Sequence, residues 1–233
     1  MYYTLLILQF TAHLLADFNF QSQEWCDEKN NAVISKAHLY HILIVFVCSW
    51  ALSLMVSFWW AALLISLSHF VIDIVKSYLF KKEIRKNYLF FMDQALHIVI
   101  ITGIVYLFSN TQSGYFPFSV SINVAFIFFA LIACTKPSNI FIKKYMEASG
   151  IISKKKENNA LMKAGRVIGS LERVLSFCLI AFNQFAAVGF LIAAKSILRF
   201  RDTDTAKTEY LLIGSLLSFG IAILFGIAYQ LLI

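Results

Sequence analysis

Ser68-His69-Phe70-Val71-Ile72-Asp73-Ile74-Val75-Lys76 lies inside the apolar stretch 63–78, and Asp93-Gln94-Ala95-Leu96-His97 opens the next, 90–108. Each stretch sets an imidazole and a carboxylate four residues apart. Four helical residues turn through about 400°, so both side chains stack on one helix face. His13 and Asp17 repeat the spacing near the N-terminus. Ionisable groups in hydrocarbon are costly and are functional suspects by default. The stretches therefore predict membrane helices whose polar faces turn toward one another.

Composition agrees. Of 233 residues, 60% are hydrophobic and 14% charged, with 23 Phe, and mean hydropathy is +0.73. These values describe an integral membrane protein rather than a soluble core. Two prolines, nine glycines and no barrel-type alternation favour helices over strands. Met1-Tyr2-Tyr3-Thr4 is not a basic n-region, and His13 and Asp17 break the apolar run behind it, so no signal peptide is expected. Cys26, Cys48, Cys134 and Cys178 are scattered without a CxxC and read as small hydrophobes. The net charge of +7 comes mainly from loops and reports topology and lipid contact; no nucleic-acid partner is expected. There is no P-loop, dinucleotide fingerprint or serine or cysteine nucleophile motif.

The predicted fold is all-α, a polytopic transmembrane helical bundle of six or seven spans. Spans are expected at 3–20, 38–55, 61–80, 89–108, 120–134 and 210–232, with 22–36 a mixed-charge loop. Segment 165–200 either crosses once or breaks near Asn183-Gln184 into two half-helices. Residues 1–110 form an N-terminal four-helix membrane domain with the His/Asp site. Residues 111–233 supply C-terminal membrane helices and a basic loop, 136–166. Loop 81–86 carries four Lys and Arg, loop 109–119 none, and 136–166 eight. The positive-inside rule then puts the first and third in the cytoplasm, the second outside, and the N-terminus outside.

This orientation brings all five histidines and Asp17, Asp73 and Asp93 into one leaflet. Neutral imidazole with carboxylate suits a divalent metal, zinc, manganese or iron. The candidate ligands are His13, Asp17, His69, Asp73, Asp93 and His97. They outnumber the needs of one ion, which suggests two metals or one metal with acid/base partners. His41, Asp93 and His97 are the candidate catalytic bases; Lys76, Lys195 and Arg199 are the candidate anion holders. Gly165, Gly169, Glu172 and Arg173 form a second feature, read as close helix packing and interfacial charge.

His13-Leu14-Leu15-Ala16-Asp17-Phe18 with Gln21, Ser68 to Asp73 with Lys76, and Asp93-Gln94 with His97 resemble bacterial membrane proteins grouped as domain-of-unknown-function family 3307. The resemblance covers roughly 5–108, and 165–173, 194–200 and 209–219 look like the C-terminal half of longer members. It implies a multi-pass protein of the bacterial cytoplasmic membrane and the same site residues, but no reaction. The leading expectation is a metal-dependent hydrolase of a lipid-linked or phosphorylated substrate, with membrane lipids as its surroundings. The alternatives are a proton- or cation-coupled transporter or channel, or a non-catalytic membrane sensor or effector.

Overall fold

The computed structural model describes residues 2–82, 86–111, 120–151, 159–199 and 205–232; side chains at 86–87, 159–163, 198–199 and 205–210 lie outside that description. Every regular element among the described residues is helical. The chain divides into two compact units, Met1–Phe129 and Ala130–Ile233. Among the described residues, four helical segments are long and apolar enough to cross a membrane: Lys36–Ser53, Val56–Lys81, Tyr88–Thr111 and Leu211–Leu232. The helices Ile122–Ala133 and Lys136–Ala148, bent by 50° at a short break, make a fifth if taken as one span.

In the first unit, α1 (Tyr2–Leu14) runs into a π-helical turn, Leu15–Phe20. The expected span 3–20 is thus a 13-residue α-helix with a widened turn. Then come α2 (Gln23–Asn31), α3 (Lys36–Ser53), α4 (Trp59–Lys81) and α5 (Lys86–Thr111). The expected loop 22–36 is corrected, because α2 occupies much of it. The reason is local: Ser22 Oγ accepts from the Trp25 amide at 3.2 Å, and Gln23 Nε2 donates to Asp27 Oδ1 at 2.9 Å one turn on. A left-handed Leu54, at φ 57°, ends α3.

α1 packs on α3 and α5, α3 on α4, and α4 on α5, while α2 lies against α3 and α4. Ala12, Ala16, Ala61 and Ala62, each no more than 2% exposed, let the backbones approach closely. Gln9 and Ser49 cross-link α1 and α3: Ser49 Oγ donates to Gln9 Oε1 at 2.6 Å and Gln9 Nε2 to the Ser49 carbonyl at 3.0 Å. At one end the bundle is apolar, with Phe58 edge-on to Phe108 at 4.8 Å between ring centres.

Periodicity then carries the interior row toward the other end. On α5 the buried positions run Phe108, Val105, Ile101, His97, Asp93 and Leu89. On α4 they run Ala61, Ala62, Ile65, Ser66, His69, Ile72, Asp73 and Ser77. Helices α3, α4 and α5 turn Leu43, Val71, Val99 and Leu107 outward, all more than half exposed. Apolar outside and polar within is the distribution expected of helices that face lipid.

The second unit contains α7 (Lys136–Ala148), α8 (Asn159–Ala181), α9 (Phe185–Arg199) and α10 (Thr205–Leu232); the unit boundary falls within α6 (Ile122–Ala133). Of the two forms open for 165–200, the broken one is observed, with Asn183 left-handed at φ 60° between α8 and α9. Arg173, only 1% exposed, is buried rather than interfacial. Its Nε donates to the Cys134 carbonyl at 2.7 Å, Nη1 to Ser218 Oγ at 2.8 Å and Nη2 to Asn139 Oδ1 at 2.6 Å. It thereby satisfies a carbonyl left open where the chain breaks before α7 and ties α8 to α7 and α10.

Candidate metal centre

Four helical segments bring the ionisable groups together. The turn after α1 carries Asp17, one turn from His13; α3 contributes His41, α4 contributes His69 and Asp73, and α5 contributes Asp93 and His97. His69 and His97 have ring centres 3.8 Å apart, His13 and His97 5.1 Å, and His41 and His69 4.9 Å. His13, His41, His69, Asp73, Asp93 and His97 are each at most 6% exposed.

Among the described residues, three groups of donors can each hold a metal ion, the donor atoms within each group lying within 4.8 Å of one another: His13, Asp17, His69 and His97; His41, His69 and Asp73; and Asp73, Asp93 and His97. Shared members fuse the three into one cluster.

The hydrogen bonds discriminate among them. His69 Nε2 donates to Asp17 Oδ1 at 2.8 Å. A neutral His69 therefore keeps its lone pair on Nδ1. His13 Nε2 donates to Gln94 Oε1 at 3.2 Å, which again leaves the lone pair on Nδ1. Gln94 Nε2 donates to Asp17 Oδ2 and Asp93 Oδ2, both at 3.2 Å, which fixes the orientation of its amide. Nδ1 of His13, Nδ1 of His69 and both ring nitrogens of His97 are buried and have no hydrogen-bond partner. A buried polar atom left unsatisfied costs about 1–3 kcal/mol, so several in one place call for an explanation. His13 Nδ1 lies 3.6 Å from Asp17 Oδ1. Two donors on one tetrahedral ion, with bonds of about 2.0–2.1 Å, stand about 3.3 Å apart. The group fits a divalent ion.

The other two carboxylates already have cations. Lys29 Nζ on α2 donates to Asp73 Oδ2. Lys76 Nζ donates to Asp93 Oδ2 at 2.6 Å. Gln21, with its amide turned to satisfy both neighbours, accepts from Lys29 Nζ at 3.0 Å. His41 sits between the two zones, with Nε2 3.4 Å from Asp17 Oδ1 and 3.8 Å from Asp73 Oδ2.

Several sequence-predicted residues lie elsewhere. The Ser35 amide donates to His38 Nδ1 at 3.2 Å, so Nε2 holds the proton and bonds Ser77 Oγ at 3.2 Å. His38 thus caps α3 and braces α4. Lys195 belongs to the second unit, where its ammonium bonds the Glu172 carboxylate. Arg199 ends α9, and its side chain lies outside the described residues.

Sequence reasoning missed Lys29 and the roles of Gln21 and Gln94. The available signal was electrostatic: three buried carboxylates on neighbouring helices need nearby cations.

The fold and cluster define a helical protein with helices long and apolar enough to cross a membrane and a buried His/Asp centre able to hold metal. Residues 5–126 match the family model described as "Protein of unknown function (DUF3307)", and the chain belongs to that family. The match extends past the expected 5–108 into α6. No curated protein and no solved structure matches the chain.

Proposed function

We propose that the first unit binds one divalent transition metal, zinc, manganese or iron, on His13, Asp17, His69 and His97, and hydrolyses a lipid-linked or phosphorylated substrate. The observation that carries this reading is the set of buried imidazole nitrogens without hydrogen-bond partners around Asp17. A divalent ion there supplies Lewis acidity and lowers the pKa of a bound water. His41, with neither ring nitrogen hydrogen-bonded, is the base that takes the proton; Asp93, whose Oδ1 is unpartnered, is its alternate. Lys76 has the most open side chain among the cluster's ion-paired groups, 31% exposed, and holds the substrate's anionic group. The chain is read as crossing a bacterial cytoplasmic membrane six or seven times, with the basic stretches 81–86 and 136–166 inside, from their Lys and Arg content; the expected loop 136–166 is corrected, since α7 and the start of α8 occupy much of it.

Metal analysis of detergent-purified protein, beside His69→Ala, tests the binding. Release of phosphate from a phosphorylated lipid, dependent on that metal, tests the reaction. Metal-free protein would sink both.

A second reading has one observation in its favour. Lys29, Asp73, His41, Asp17 and His69 form a row with successive contacts no longer than 3.8 Å, as a proton or cation relay requires. Protein without metal but with pH-driven flux in liposomes would promote it.

A further inference from the structure

Asp73 belongs to two of the three metal-competent donor groups, one with His41 and His69 and one with Asp93 and His97. Its Oδ2 is held by Lys29, and both side chains are nearly closed to solvent, 7% and 8% exposed. Lys29 is an unusual buried residue. It lies on the polar helix α2 among Gln23, Glu24, Asp27 and Glu28, and is itself 6% exposed. A lysine is seldom buried unless it is paired. Here the pairing draws it away from water into a histidine-lined cluster.

The charges fit this arrangement. With neutral imidazoles, Asp17, Asp73 and Asp93 bring three negative charges, and Lys29 and Lys76 return two positive ones. Asp17 is the carboxylate without a lysine contact among the described groups; its neighbours are His13, His41, His69 and Gln94. The lysines therefore sit on Asp73 and Asp93, and leave Asp17, with the first position, to metal.

We propose that Lys29 is a tethered cation standing in a latent second metal position, built on His41 and Asp73, and that its ammonium keeps the centre mononuclear. This rests on the one-metal reading above. His41 Nε2 and Asp73 Oδ2 are 3.8 Å apart, a spacing two ligands of one ion can have, and both His41 nitrogens lack hydrogen-bond partners. An ammonium and a divalent ion cannot share Asp73 Oδ2 without strong repulsion in a poorly screened interior. Removing the ammonium leaves a bare buried carboxylate beside an unpartnered imidazole, and such a carboxylate demands a cation. The ligand class is a divalent transition metal, since half the donor set is imidazole.

The test is Lys29→Met in the full chain, purified in detergent and loaded with zinc, with metal per protein and melting temperature measured against wild type. The expected result is one equivalent in wild type and two in the variant. The zinc-induced rise in melting temperature should also be larger in the variant, because zinc neutralises the bare Asp73 carboxylate. Lys29→Arg, which keeps the cation, should stay at one equivalent. Lys195→Met removes a comparable lysine–glutamate pair in the other unit and should not change metal content. If Lys29→Met cannot be recovered even with zinc, Lys29→Gln carries the same comparison. One equivalent in wild type and in the variant overturns the tethered-cation proposal and leaves the one-metal reading intact. No zinc in wild type but one equivalent in the variant overturns the one-metal reading and keeps Lys29 as the stand-in cation. No zinc in either overturns both.

Discussion

His69 Nε2 and Asp17 Oδ1, from α4 and the turn after α1, meet at 2.8 Å although 52 residues separate them in the chain. This bond fixes the imidazole's tautomer and leaves its lone pair on Nδ1, which is buried and without a hydrogen-bond partner. The helix-local partner, His13, approaches the same oxygen only to 3.6 Å. The pairing that organises the centre therefore runs between helices.

Asp17 and Asp73 should behave differently. Asp17→Asn removes the anionic member of the group that lacks a lysine, and bound metal should fall below a tenth of the wild-type content. Asp73→Asn removes a carboxylate already held by Lys29, and metal should stay near one equivalent. Elemental analysis of both purified variants decides this, and equal loss in the two would reject the asymmetry.

Metal occupancy should fall with pH. Imidazole binds metal only when unprotonated, so protons compete for the three histidines of the group. The sign is fixed: acidification releases metal and alkaline conditions retain it, with the change spread across the imidazole range. Equilibrium dialysis at a series of pH values reads it, and occupancy that is flat from neutral to mildly acid conditions would rule out histidine ligation.

Gln94 should matter more than its uncharged side chain suggests. It accepts from His13 and donates to both Asp17 and Asp93, so Gln94→Leu releases the His13 tautomer and takes one donor from each of two carboxylates. Loss of such an orienting partner typically weakens metal binding about 10–100-fold. Competition against a chromophoric chelator measures the change; Gln94→Glu should not restore affinity, since it can accept from His13 but cannot donate to the carboxylates.

Arg173→Met should act on stability alone. The guanidinium satisfies the Cys134 carbonyl, Asn139 and Ser218 in the second unit, and each stranded buried acceptor costs about 1–3 kcal/mol. The melting temperature should drop clearly while metal per folded molecule holds at the wild-type value. A change in metal content with an unchanged melting temperature would contradict the structural role.

The sequence by itself determined the helical class, the apolar segments later found as α3, α4, α5 and α10, and the shared face of His69 with Asp73 and of Asp93 with His97. Those features follow from hydropathy and helical period, which are local. It also marked Asn183-Gln184 as a place where the chain can break. Only the tertiary structure decided which donors meet. His38 and His41 lie three residues apart, yet one caps α3 and the other enters the cluster. Lys29, in a stretch that reads as a surface loop, is folded inward by α2 onto Asp73. Arg173, which reads as an interfacial charge, fills the gap before α7. The physical reason is the same in each case. A buried charge or lone pair takes its partner from whichever neighbouring helix presents one, and that choice is made across chain separations no local pattern encodes.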